Sequence, residues 1–141
     1  ALNTATWNNG LLIEVKSNAQ VTKPILIHQI NDASNSKVIT ASRNLIMVGK
    51  SSEVSIIEKY DSIGDANFST TVNEVFVAEN AGLTYTLIQN DGGQRYQFNH
   101  TNIQQESNTR VNCFTLSLNG KAIRNNLQLS LDGEGIDSHM Y

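Results

Sequence analysis

The side chains able to do chemistry are few and scattered. The single cysteine, Cys113, lies in VNCFTL, with Val111 on its own strand parity and Phe114 on the other. That parity expects the thiol to point inward, where a free cysteine behaves as a small hydrophobe. Lone buried cysteines are inert. There is no second cysteine at CxxC spacing, and a thiolate-held cluster needs about four such ligands unless a partner supplies them. His28, His100 and His139 do not stand two to five residues from one another or from Cys113, so the chain carries no local metal-ligand motif. Each is expected at the surface or at a strand edge.

Asp132, Glu134 and Asp137 form the densest acidic cluster near the end of the chain, with Arg124 the nearest cation. Paired carboxylates can serve as the acid and base of a glycoside hydrolase. Interleaved with Gly133 and Gly135, they fit a tight corner better, where an acid accepts backbone N–H bonds or pairs with an arginine of a neighbouring coil. No GxxxxGK followed by Ser or Thr occurs, so the chain is not expected to bind ATP. It is not expected to be an enzyme.

Only 16% of the 141 residues are charged and the net charge is -3, which leaves no electrostatic footprint for nucleic acid or an anionic membrane. Polarity is carried by neutral groups instead. The longest apolar runs, such as Leu45 to Val48, have four residues, too few for a membrane span or a signal segment. A lone cysteine points to a reducing, cytoplasmic setting. The chain opens at Ala1 rather than Met and stops at Tyr141 inside an alternating pattern, so it reads as a single domain within a longer protein.

The elements that must position these groups are short strands. In the last third, Leu116 and Leu118, then Leu127, Leu129 and Leu131, alternate with Ser117, Gln128 and Ser130, and Asn119-Gly120 and Asp132-Gly133 punctuate the runs. Upstream come LLIEV from Leu11, ILIHQI after the only proline (Pro24), VITASRNLIMV closed by Gly49, and VSIIEKY closed by Ser62 to Gly64. TVNEVFVAEN from Thr71, GLTYTLIQN and, past Asp91-Gly92-Gly93, YQFNHTNI follow. Ala1 to Gly10 holds at most one helical turn, ended by Asn8, Asn9 and Gly10. Strands of this length and spacing read as all-β, either a parallel β-solenoid or an antiparallel β-sandwich. Arg43-Asn44 through Gly49 echoes Arg124 and Asn126 through Gly133, and the 18 asparagines recur at strand ends (Asn80, Asn90, Asn119), where stacked coils can align amides into ladders.

IRNNLQLSLDGEG (Ile123 to Gly135), followed by Met140-Tyr141, resembles the core of the SufD subunits of the iron-sulfur cluster assembly machinery. ALNTATWNNGLLIEV, KPILIHQI, SRNLIMVGKSSEVSIIEKY and TVNEVFVAENAGLTYTLIQND agree with it in order, while the related SufB subunits fit these stretches less well. The resemblance implies a right-handed parallel β-helix, truncated here at both ends and lacking the family's N-terminal helical and C-terminal ATPase-docking regions. It implies a non-catalytic scaffold that pairs with SufB, each of the two partners holding one SufC ATPase. An iron-sulfur cluster would belong only to the assembled complex, with no cofactor bound by these residues. It makes Arg124, Asn125, Asn126, Gly133, Glu134 and Gly135 a structural motif rather than a site. A carbohydrate-binding or carbohydrate-active β-helix is the alternative, motivated by abundant Asn and Asp and by Trp7. Open coil ends with unpaired backbone groups lead us to expect self-association as a dimer.

Overall fold

The computed structural model describes residues 2–64, 67–90 and 94–141. The turn expected at Asp91-Gly92-Gly93 lies outside the described residues. A five-residue helix, α1 (Leu2–Thr6), is followed by ten strands: β1 (Leu12–Val15), β2 (Ile25–Asp32), β3 (Val38–Val48), β4 (Glu53–Ile63) and β5 (Asn67–Val77), then β6 (Gly82–Gln89), β7 (Tyr96–Gln105), β8 (Arg110–Ser117), β9 (Ala122–Leu131) and β10 (Asp137–Met140). Odd strands form one sheet in the order β1-β3-β5-β7-β9, and even strands the other, β10-β8-β6-β4-β2. Each odd strand with the even strand after it makes one coil. Among the described residues all eight strand pairings are parallel, so the chain is a parallel β-solenoid and the antiparallel sandwich falls away.

The stack is closed by hydrogen bonds between coils, and its corners explain much of the turn chemistry. At the corner leading from odd to even strands, Asn18, Ser51, Asn80, Asn108 and Gly135 all have positive φ, between 55° and 67°. Asparagine and glycine tolerate that left-handed conformation best. Each of the first four donates its backbone N–H to the next coil: Asn18 to Lys50, Ser51 to Glu79, Asn80 to Ser107 and Asn108 to Glu134, at 2.8 to 3.1 Å. Asn80 therefore serves its corner through its backbone. The expected amide ladder appears elsewhere, with Asn119 Nδ2 donating to Asn90 Oδ1 at 2.8 Å.

Between the sheets the interior is divided. Near the Asn80 corner it is apolar, built on columns such as Ile46, Val75, Ile103 and Leu129, which lie side by side in register. Toward the opposite corner it is polar: Asn67, Ser69, Thr71 and Asn73 of β5, then Gln97, Asn99 and Thr101 of β7, are all buried and share the inward parity. Their outward neighbours Phe68, Val72 and Phe98 are the apolar ones. This inversion is why β5 starts at Asn67, well before the apolar run at Thr71. It also reverses the reading of β8, where Val111 and Cys113 face inward as expected but Leu116 and Leu118 fall on the outer parity, Leu118 being exposed. Strand β10, the sequence DSHM, has too little alternation to announce itself and is set by pairing with β8. The helix lies against the outside of β3 and β5, where Asn3 Nδ2 donates to the carbonyls of Ser42 (3.0 Å) and Thr70 (3.1 Å).

Candidate functional site

The polar half of the interior centres on Glu58, which is fully buried in β4. Its alternation partners Val54, Ile56 and Tyr60 all face inward, so β4 carries the acid there without any local irregularity. Four neutral donors converge on the carboxyl group. Tyr60 O–H (2.6 Å) and Gln29 Nε2 (2.8 Å) donate to Oε1, while Asn73 Nδ2 (2.8 Å) and the Tyr85 O–H donate to Oε2. A carboxylate has about four acceptor positions, and all are used. Burial nevertheless raises the Glu58 carboxyl above the ordinary range, the hydrogen bonds offsetting only part of that cost. Burial, reinforced by the adjacent acid, also pushes both phenols well above their usual value.

From Glu58 the network spreads through the stack. Asn73 Nδ2 also contacts the Tyr85 oxygen (2.9 Å) and Thr101 Oγ1 (3.3 Å), and Asn73 Oδ1 accepts from Asn44 Nδ2 (2.8 Å). Asn44 Oδ1 in turn accepts the Leu11 N–H at 3.2 Å. Six strands, β2 to β7, are thereby joined by one set of side chains. Sequence reasoning passed over Glu58, although an acid on the parity of Val54 and Ile56 was a visible signal.

Cys113 is buried one rung above Tyr85 in register, and desolvation pushes its thiol up to about 11. It lines a cavity of about 130 Å3 between the sheets, together with Tyr85, Thr101, Asn99, Thr115 and Asn125. The histidines are dispersed. His28 Nε2 lies 2.6 Å from Asp61, a half-buried acid that Lys59 also contacts at 2.5 Å, and Lys59 and His28 together hold the Asp61 carboxyl below its usual range. His139 lies 3.0 Å from Asp137, and His100 sits on the outer face in the column of Arg43, Val72 and Asn126. Among the described residues no three His, Cys, Asp or Glu side chains are grouped to hold a metal ion.

The motif residues occupy the last coil. Arg124 Nε bonds Asn126 Oδ1 (3.1 Å) on the outer face, whereas Asn125 faces inward, accepting from Asn99 Nδ2 (2.9 Å) and donating to Ser117 Oγ (2.9 Å). The echo with the Asn44 stretch is offset: Asn44, Asn73 and Thr101 lead in register to Leu127, not to Asn126. At the corner, a side chain on Gly133 would collide with the Ser107 backbone, and Gly135 carries the positive φ. Glu134 contributes its backbone, accepting from Asn108 N–H (2.8 Å) and donating to Ser107 Oγ (3.3 Å).

Residues 27–141 match the family described as SUF system FeS cluster assembly, SufBD core domain. The chain is also similar to an iron-sulfur cluster assembly SufBD family protein of Synechocystis sp., at 25% identity over 94% of this chain and 31% of that protein. It thus spans about a third of that relative's length. No solved structure matches it.

Proposed function

Because the chain belongs to the SufBD core family of the SUF iron-sulfur cluster assembly system, we propose that it is the β-helical core of a SufD-type scaffold subunit acting in the cytoplasm. In this reading the domain performs no catalysis and holds no cofactor of its own. It pairs through its β-helix with a SufB-like subunit, and the longer protein engages a SufC-like ATPase. Any cluster is built only in the assembled complex. The observation carrying the proposal is that the family match runs through four consecutive coils of one uninterrupted parallel stack.

Co-purification of the full-length protein with SufB-like and SufC-like subunits is the expected result. Recovery of neither overturns the scaffold reading. Iron and sulfide reconstitution of this domain alone should yield no stable cluster absorption, and a stoichiometric cluster on the isolated chain would refute the absence of a resident cofactor.

A further inference from the structure

Three amide side chains at the corner leading from even to odd strands face the interior with bonding capacity left over. Gln97, the second residue of β7, is fully buried, and neither its Oε1 nor its Nε2 has a hydrogen-bond partner. Asn67, which opens β5, is 4% exposed and unpartnered at both Oδ1 and Nδ2. Gln89, which closes β6, is also fully buried; its Nε2 donates to the Asn119 carbonyl, but its Oε1 has no donor. Buried amides are almost always bonded, either to protein or to ordered water. The place is fixed by the middle of the stack rather than by its ends. Gln97 is flanked in register by Ser69 of β5 and Ile123 of β9, and Gln89 by Tyr60 of β4 and Ser117 of β8. Ser69 is buried too, and its Oγ accepts from Arg95 Nη2 at 3.4 Å.

We propose that this corner of the interior is a hydration site, in which buried waters bond to Gln97 and to the unpaired atoms of Gln89 and Asn67. The unpaired atoms select the guest. The carbonyl oxygens of Asn67, Gln89 and Gln97 need donors, while the amide nitrogens of Asn67 and Gln97 need acceptors. A cation would serve the oxygens alone and would meet the guanidinium of Arg95, which is buried at the same corner. An anion would serve the nitrogens alone and would face the three carbonyl oxygens. Water donates and accepts with equal ease, is small enough to sit between packed strands, and makes about three hydrogen bonds when buried. One water accepts from Gln97 Nε2 and another donates to its Oε1. The interior is thus wet at this corner and dry at the Asn80 corner, where its columns are apolar.

Oxygen-17 magnetic relaxation dispersion of the full-length protein counts waters held for longer than the molecule takes to tumble. Gln97→Met, which keeps the volume and removes both polar atoms, should lower that count by about one water or more. Gln128→Met, an exposed change on the outer face of β9, should leave it unaltered. A crystal structure of the unsubstituted full-length protein tests the site without any variant. Ordered water within hydrogen-bonding distance of Gln97 Oε1 and Nε2 is the expected result. An unchanged count in Gln97→Met, a Gln97 amide bonded only to protein groups, or an ion in place of water overturns the proposal.

Discussion

Glu58 puts a carboxyl into a column whose adjacent rungs hold Ile27 and Leu87, and only its four donors make that tolerable. Glu58→Leu would leave two phenols and two amides without their acceptor. At roughly 1–3 kcal/mol for each stranded group, partly relieved by repacking, urea denaturation should show a loss of about 3 kcal/mol or more. The same residue sets a pH dependence of definite sign. Its folded carboxyl is raised, so between the ordinary carboxylate range and that raised value the native state binds more protons than the unfolded one. Stability from this group is therefore greatest at low pH and falls as pH rises through the window. Glu58→Gln should flatten that slope. Cys113, with its thiol pushed up to about 11 and its side chain buried, should react slowly with iodoacetamide in the native protein and rapidly in urea. Equal rates in both would contradict the placement of the thiol.

At the level of strands and corners, the corner residues give the sharpest test. Asn80 sits at φ 60°, where a β-branched side chain is strained and glycine is not. Asn80→Val should cost about 1–2 kcal/mol, while Asn80→Gly should be nearly neutral, read as shifts in the urea midpoint. Such positions explain what was legible in the sequence. The strands VITASRNLIMV and GLTYTLIQ stood out because their inward residues are apolar near the Asn80 corner. Strand β5 was legible only in its second half, since Asn67, Ser69, Thr71 and Asn73 face the interior while Phe68 faces out. A polarity rule cannot see a strand whose inside is hydrophilic. Gly133 and Gly135 both lie between β9 and β10, and only the structure separates a glycine required by close approach from one required by φ.

For the molecule as a whole, periodicity left parallel and antiparallel stacking level, and the resemblance of several ordered stretches favoured the former. The reason periodicity fell short is visible in the coils. In the odd-numbered sheet Leu12 meets Leu45, Leu45 meets Glu74, Glu74 meets Asn102 and Asn102 meets Gln128, so no two successive coils have the same length and no fixed repeat can be read. The chain in isolation should run as a dimer on sizing with light scattering, because its terminal strands offer unpaired edges; a clean monomer would contradict that expectation. Within each sheet all strands point the same way and the coils succeed one another in one direction, which gives the spindle two different poles. Joining unlike poles propagates into an open-ended filament unless the rotation closes a ring, whereas joining like poles closes on a two-fold axis and stops at two. A two-fold dimer of this domain therefore reverses strand direction at its seam, the one place where antiparallel pairing enters sheets that are otherwise parallel throughout.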